Sequence, residues 1–149
     1  MPGGEALFVD TNVLVHAFTR ESPRHAVALA TLQAAEGQDA VLWVSRQVIR
    51  EYVAVLSGPQ GFLPARLSGA TLRAQAERLE RRFRVADEGS DVTRHLLGLI
   101  ERWDIGGKQV HDANIVATML AHGIHRLLTE NVDDFKRFGE LVELVRLPT

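Results

Sequence analysis

Near its N-terminus the chain reads Ala6-Leu7-Phe8-Val9 followed by Asp10-Thr11-Asn12. Four apolar residues in a row are too few for an ordinary helix, and they indicate a short strand that is buried on both faces. Asp10 stands at the carboxyl end of this strand, the edge at which open parallel α/β sheets bind their ligands. An acidic residue there is either the N-cap of the following helix or a ligand for a cationic group. This stretch alone leaves both interpretations open.

The composition is typical of a globular domain. The 149 residues are 46% hydrophobic and 24% charged, which suits one domain with its own core. The chain has no Cys, which excludes disulfides, thiolate zinc sites and cysteine nucleophiles. No apolar run approaches the roughly 18 residues of a membrane span, and no signal peptide is recognisable, so we expect a cytoplasmic protein without membrane contact. The formal net charge of -2 does not indicate nucleic-acid binding, although clustered carboxylates can mask a local basic patch.

Short apolar runs alternate with segments of helical periodicity along the rest of the chain. Strands are predicted at 6–9, 40–44, 83–86, 126–129 and 141–145. Helices are predicted at 11–19, 24–36, 46–56, 69 or 70 to 82, 90–103 and 112–122, with a helical turn at 132–138. This alternation favours a parallel sheet that is covered on both faces. We therefore predict a single α/β domain over residues 1–149, with a mostly parallel central sheet of about four or five strands and helices on both faces.

A second acidic residue lies on the apolar face of a predicted helix. Glu51 follows Val48 by three positions and precedes Val55 by four, so it falls inside the buried stripe. A carboxylate in this position is costly unless it is paired or bound to a metal. A salt bridge to Arg46 or Arg50 is the simpler explanation, and a ligand role is the other.

A third acidic residue, Asp112, opens a predicted helix whose inward face includes Ile115 and Met119. Capping alone would explain it. However, polar side chains also follow the strand at 126–129, in the segment Thr129 to Asp134. If these strand ends share one edge of a parallel sheet, the acidic groups converge on the same crevice.

Three or four carboxylates in one pocket cannot all stay ionised unless a cation neutralises them. Hard oxygen ligands with few histidines nearby suit Mg²⁺ or Mn²⁺ rather than zinc. Such an ion lowers the pKa of a bound water and stabilises charge on a phosphoryl oxygen. The pattern therefore predicts metal-assisted hydrolysis of phosphodiester bonds.

Four segments of the chain recur together in one known family. They are Phe8 to Asn12, Glu51 after a turn capped by Ser45, His111 to Ala117, and Thr129 to Phe135. In this order and spacing they resemble PIN-domain ribonucleases, and most closely the VapC-type toxins of bacterial toxin-antitoxin pairs. The resemblance covers nearly the whole chain.

This resemblance implies a set of site residues. The catalytic acids would be Asp10, Glu51, Asp112 and Asp134, with Asp10 and Asp112 as the principal metal ligands. The polar residues that orient substrate or water would be Thr11, Asn12, Ser45 and Asn131. Spacing alone does not distinguish Asp133 from Asp134, and the family motif favours Asp134.

The resemblance also implies partners and an activity. It predicts an endonuclease that cleaves single-stranded RNA with Mg²⁺ or Mn²⁺, is held in check by a cognate antitoxin that binds in a groove, and forms a homodimer. Two alternatives remain: a PIN-type nuclease of ordinary RNA processing, and a catalytically silent nucleic-acid-binding module. The intact set of four acids argues against the silent module.

Three further features have competing interpretations. The arginines between Arg73 and Arg84 either hold an RNA backbone or form a solvated face with Glu77 and Glu80, which we favour. His122 and His125 suggest a zinc pair, but a helix end between them makes the geometry poor. The third feature is an exposed apolar patch, which we predict from Trp43, Phe62 and Leu63.

Overall fold

The computed structural model describes residues 4–59, 62 and 66–149. Leu63, one of the three residues of the predicted apolar patch, lies outside these ranges. The strands are β1 (Ala6–Val9), β2 (Val41–Ser45), β3 (Arg84–Ala86), β4 (Arg126–Thr129) and β5 (Glu143–Arg146). The helices are α1 (Thr11–Ala17), α2 (His25–Gly37), α3 (Arg46–Ser57), α4 (Gly69–Arg82), α5 (Ser90–Trp103), α6 (Gln109–Ala121) and α7 (Val132–Phe135), and a 3-10 turn follows at Lys136–Phe138.

The five strands form one sheet in the order β3-β2-β1-β4-β5. All four pairings are parallel, which confirms the predicted α/β class. The central strand β1 pairs with β2 through Phe8 and Trp43 and with β4 through Phe8 and Leu127. Leu7, Phe8 and Val9 are all buried, as expected for a strand with helices on both sides of the sheet.

The helices fall into two packed groups. In the first group α1 packs against α2 and α3, and α3 packs against α4. In the second group α5 packs against α6, which also contacts α7. Two groups are expected from right-handed crossovers, because the chain crosses the sheet in one direction from β1 to β3 and in the other from β3 to β5. No helix of the described residues is long and apolar enough to span a membrane.

The strand order creates a topological switch point at the carboxyl ends of β1 and β4. The chain leaves β1 towards β2 on one side, whereas β4 is the neighbour on the other side. Asp10 continues the pairing beyond β1, because its backbone N–H donates to Leu128 O at 3.0 Å. In folds of this type the crevice at the switch point is where ligands bind.

The predicted element boundaries differ from the structure at several ends, each by a few residues. The largest difference is at α6, which begins at Gln109 rather than Asp112. Gly107 adopts a left-handed conformation (φ 63°), and turn hydrogen bonds from Val110 and His111 start the helix early. The last strand begins at Glu143 rather than 141, because the N–H groups of residues 141 and 142 both donate to Phe138 O and extend the preceding turn.

A buried serine begins helix α3. Ser45 Oγ accepts a hydrogen bond from Val48 N at 3.2 Å, and the residue is fully buried. Ser68 caps α4 with the same bond to Thr71 N at 3.2 Å, but it is exposed to solvent. The two caps therefore share their chemistry and differ in burial.

We expect Ser45→Ala to lower the free energy of unfolding by about 2 kcal/mol, at the upper end of the usual range for a lost N-cap. Water cannot replace the lost acceptor at this buried position. Ser68→Ala, the matched control, should cost about 1 kcal/mol or less because water can solvate Thr71 N. Urea unfolding of both variants measures the difference, and equal losses would contradict the importance of burial.

Candidate active site

A cavity of about 300 Å³ opens at the switch point. Its lining residues come from the end of β1, from α1, α3 and α6, from position 62 between α3 and α4, and from the segment after β4. They are Asp10, Thr11, Asn12, Val15, His16, Glu51, Val55, Phe62, Asp112 and Asn131. Three acids that are far apart in the sequence, Asp10, Glu51 and Asp112, therefore share one cavity, as the sequence predicts.

Asp10 both caps a helix and faces the cavity. Its Oδ1 accepts a hydrogen bond from Thr11 N at 2.8 Å, and its Oδ2 accepts one from Thr129 Oγ1 at 2.8 Å. Only 7% of the residue is exposed, and burial raises the pKa of its carboxyl, with the charge of Asp134 acting in the same direction. The capping interpretation is thus confirmed, and the role of Asp10 as a cation ligand stays a prediction.

Thr129 is a residue of the site that the sequence analysis did not assign. It is the fully buried last residue of β4, and its hydroxyl also accepts a hydrogen bond from Asn131 N at 3.0 Å. Asn12, which follows β1, also bonds to the segment after β4, because its Oδ1 accepts a hydrogen bond from Glu130 N at 3.1 Å. These bonds join the ends of β1 and β4 and fix the orientation of the Asp10 carboxylate. In the sequence, this role of Thr129 was indicated only by its position at the end of a strand next to β1.

Glu51 is held by Gln47 rather than by an arginine. Gln47 Nε2 donates to Glu51 Oε1 at 2.9 Å and to His111 O at 2.8 Å. Arg46, a partner considered from the sequence, instead pairs with Glu80 and Asp87. Burial is the main cause that raises the pKa of Glu51.

Gln47 belongs to a second set of residues that the sequence analysis missed. Its Oε1 accepts from Asn114 Nδ2 at 2.7 Å, and its backbone N–H donates to Glu88 Oε2 at 2.6 Å. Asn114 also donates to Glu88 Oε1 at 3.0 Å. Gln47 is only 4% exposed, so its amide links α3 to the first turns of α6 out of contact with bulk water. A polar residue four positions before Glu51 on the same helix face was the only signal.

Asp112 lies in the first turn of α6, where Lys108 is the N-cap and makes no side-chain capping bond. The structure therefore contradicts the expectation that Asp112 opens this helix. Burial raises the pKa of its carboxyl to about 6, and the charges of Asp10, Asp134 and Glu51 add to the effect. His111 opposes the shift.

The two adjacent acids that follow β4 are both exposed, but they differ in their surroundings. Asp133 is exposed and pairs with Lys136 Nζ at 2.8 Å. Asp134 does not line the cavity, but its charge raises the pKa of both Asp10 and Asp112. Of the two, Asp134 is thus the acid whose charge reaches the site, and its role as the fourth catalytic acid stays a prediction.

The predicted polar residues divide into two groups. Thr11, Asn12 and Asn131 line the cavity. Thr11 Oγ1 is buried and has no hydrogen-bond partner within the described part of the chain. Ser45 is not among the lining residues and its hydroxyl caps α3, so its placement does not favour the predicted role in orienting substrate.

The donor set of the cavity suits a hard divalent cation, because carboxylate and hydroxyl oxygens line it and Thr11 Oγ1 lacks a partner. Asp10 ends β1 and Asp112 lies in α6, and the negative charge of Asp10 raises the pKa of Asp112. A bound cation would reverse this effect. Within residues 4–59, 62 and 66–149, no three acidic or histidine side chains are close enough to hold an ion as they stand. Binding an ion would therefore draw these carboxylates closer together.

Two arginines of the basic run and the described residues of the predicted apolar patch make contacts within the structure. Arg73 pairs with Glu77 at 3.0 Å and Arg82 with Glu36 at 3.0 Å, which favours the solvated-face interpretation of this run. The prediction of an exposed apolar patch is wrong for Trp43 and Phe62, its two described residues. Trp43 packs against His122, whereas Phe62 packs in the cavity.

Comparison with known proteins shows similarity to one domain family and to a ribonuclease. The family model of the PIN domain matches residues 7–141. Over 134 residues the chain is 29% identical to Ribonuclease VapC24 of Mycobacterium tuberculosis, covering 89% of this chain and 91% of that protein.

The fold is similar to that of solved toxin-antitoxin proteins. One is VapBC2 from Rickettsia felis bound to a promoter DNA fragment, with a TM-score of 0.68 and 18% identity over 96% of this chain and 99% of that one. Another is VapC20 of Mycobacterium tuberculosis, a toxin that cleaves the sarcin-ricin loop, with a TM-score of 0.59 and 24% identity over 81% of this chain and 86% of that one. At these identities the two structures show the shared fold alone.

The raised pKa of Asp112 predicts a stability penalty. Because folding moves this pKa from 3.8 to about 6, the folded state loses stability as the carboxyl ionises between about pH 4 and pH 6, and the loss persists above that range. Asp112→Asn should therefore raise the melting temperature at pH 7.5 by about 2–4 °C without added metal. This corresponds to about 1 kcal/mol after allowance for the solvent that reaches this half-buried group.

Calorimetry at pH 4 and pH 7.5 tests this effect, which should nearly vanish at pH 4. Asp133→Asn is the matched control, because Asp133 is exposed and its lysine partner lowers its pKa, so no stabilisation is expected. A lower melting temperature for Asp112→Asn at pH 7.5 would show that the ionised carboxylate is not strained.

The buried amide of Gln47 predicts a second effect on stability. Gln47→Met keeps the length of the side chain but leaves partners on Glu51, His111 and Asn114 unsatisfied. We expect the free energy of unfolding to fall by about 2 kcal/mol. The exposed Gln109→Met, at the start of α6, should change it by less than about 0.5 kcal/mol. Urea unfolding of the two variants compares them, and similar values would remove the structural role of Gln47.

Proposed function

The chain belongs to the PIN-domain family, and from this premise we propose that it is a metal-dependent endoribonuclease that hydrolyses phosphodiester bonds in single-stranded RNA. The observation that carries the proposal is the shared cavity of Asp10, Glu51 and Asp112, in which each carboxyl has a raised pKa. Placing three carboxylates in one cavity costs the fold stability even though Asp10 also caps α1, and it suits a site that neutralises them with a cation.

Asp10 and Asp112 would hold Mg²⁺ or Mn²⁺, with Glu51 and Asp134 contributing directly or through water. When bound, the ion supplies positive charge for a phosphoryl oxygen and lowers the pKa of a water molecule. The two bonds that fix Asp10, from Thr11 N and Thr129 Oγ1, keep its carboxylate from turning away when substrate enters.

The remaining residues would bind and orient the reactants. Glu51 uses Oε1 to accept from Gln47, so its other oxygen can take the proton of the attacking water. The water oxygen then bonds to phosphorus as the bond from phosphorus to the leaving oxygen breaks, and solvent protonates the leaving oxygen. Thr11 Oγ1, which lacks a partner among the described residues, can donate a hydrogen bond to the phosphate.

The biological role that we propose is the toxin of a type II toxin-antitoxin system. The sequence similarity to Ribonuclease VapC24 and the fold shared with VapBC2 and VapC20 support it. In this role the chain would act on RNA in the cytoplasm, form a homodimer, and be inhibited by a cognate antitoxin. Light scattering of the purified protein measures the oligomeric state.

We expect the purified protein to cleave labelled single-stranded RNA with Mn²⁺ or Mg²⁺ and to lose this activity with chelator. Asp10→Asn and Asp112→Asn should each reduce the rate by more than about 100-fold, since even the loss of a partner that supports a metal ligand costs about 10–100-fold. Asp133→Asn, the matched control, should cleave within about twofold of the unchanged protein because its carboxylate faces solvent. Equal cleavage by all variants, or cleavage with chelator, would exclude this mechanism.

Expression in a bacterial host separates the toxin from a nuclease of ordinary RNA processing. A toxin should arrest growth when induced, Asp10→Asn should relieve the arrest, and co-expression of a small neighbouring gene product should relieve it as well. Normal growth on induction of a protein that is active in the purified assay would favour the processing enzyme.

A further inference from the structure

The cavity contains an apolar and aromatic surface that phosphodiester hydrolysis does not require. It is formed by Val15, His16, Val55 and Phe62. None of these side chains carries a negative charge, and Val15 and Val55 have no hydrogen-bonding group. This surface adjoins the three carboxylates within one space of about 300 Å³, which is at the lower end of the range of ligand sites.

His16 and Phe62 form an aromatic pair in this surface. Their ring centroids are 5.8 Å apart and the ring planes are inclined by 38°. This separation is within the range of interacting aromatic side chains. Both residues are half-buried, so each ring retains accessible surface beside the cavity.

The ring of His16 is held in position, and its surroundings favour the neutral form. Its Nδ1 is 2.6 Å from Ser22 Oγ, and Ser22 is itself buried and accepts a hydrogen bond from Arg24 N at 3.1 Å. Burial is the main cause that lowers the pKa of His16, with Arg24 acting in the same direction and Glu130 opposing it. A neutral ring held in this way suits stacking better than it suits pairing with a phosphate.

The aromatic pair lies next to the reacting position along α1. Asn12 and His16 are four residues apart and so share one face of this helix, about 6 Å apart along its axis. Asn12 Nδ2 approaches Asp10 Oδ2 at 3.4 Å, which places the face of α1 that carries His16 beside the buried acid. In a polynucleotide, each base is attached to the sugar next to a phosphate. A phosphate at the acids therefore brings a neighbouring base to the aromatic pair.

We propose that His16 and Phe62 form a nucleobase site, in which a base that flanks the scissile phosphate stacks while the phosphate lies at Asp10, Glu51 and Asp112. This inference rests on the proposed ribonuclease function. Stacking on aromatic side chains binds single-stranded RNA with little dependence on base identity, because every base has a flat π face. The pair thus selects unpaired nucleotides and positions the backbone for hydrolysis.

The experiment combines protein variants with changes in the RNA. The cleavage site of the full-length protein is first mapped on one labelled RNA with Mn²⁺. Two further RNAs then lack the base on one side or the other of the scissile phosphate but keep the sugar-phosphate backbone. We expect removal of one of these bases to reduce kcat/KM by about tenfold, a typical effect of losing one stacked base.

The protein variants test whether this base contacts the aromatic pair. In Phe62→Leu and His16→Leu, cleavage of the intact RNA should fall by about tenfold, and removal of the base should have little further effect. Phe62→Trp keeps an aromatic face and should retain the dependence on the base. His125→Leu is the matched control, because His125 is exposed and lies just before β4, at the opposite end of that strand from Thr129. Melting temperatures of all variants separate loss of fold from loss of the contact.

The outcomes are distinguishable from failure of the proposed function. If the unchanged protein cleaves no RNA, the ribonuclease proposal fails and the nucleobase site fails with it. If it cleaves RNA with and without the flanking bases at equal rates, or if both leucine variants keep the full dependence on the base, only the nucleobase site is overturned. Intact cleavage by Phe62→Leu together with loss of inhibition by an antitoxin would also overturn it, since the surface would then bind protein.

Discussion

The structure depends on one buried carboxylate at the junction of two strands. Asp10 ends the central strand, and its oxygens accept hydrogen bonds from Thr11 N and Thr129 Oγ1. These bonds start the first helix and join β1 to β4 at the point where the connections diverge. They do not compensate fully for lost hydration, because burial still raises the pKa of the carboxyl. The group therefore supports the architecture and still faces the cavity.

The other two acids of the cavity are also held in place without being neutralised. Glu51 and Asp112 lie on helices from opposite groups, and the Gln47 amide holds them in place through Glu51 Oε1 and His111 O. A neutral amide fixes the geometry without cancelling the negative charge, which an arginine at the same position would do. Uncompensated charge is thus kept in a defined arrangement, as expected for a site that gains its stability from a ligand.

The same cavity combines two kinds of surface. Its acidic part suits the neutralisation and hydrolysis of a phosphodiester, and its aromatic part, His16 with Phe62, suits a flat apolar group. Short helix α1 connects the two parts, because it begins at Asp10 and carries His16 one turn beyond Asn12. A chain of alternating phosphates and bases would engage both parts.

The sequence by itself determined the α/β class, the strands and the convergence of Asp10, Glu51 and Asp112 on one cavity. Local hydrophobic periodicity and a costly charge on an apolar helix face can both be recognised from residue spacing alone. It left Asp133 and Asp134 unresolved without the motif, and it gave no role to Thr129 or Gln47. Only the tertiary structure decided the contacts of Thr129 and Gln47, and the choice of Asp134 stays a prediction. Hydrogen bonds between residues as distant as 10 and 129, or 47 and 114, depend on strand order and helix packing, which long-range contacts set and local patterns do not encode.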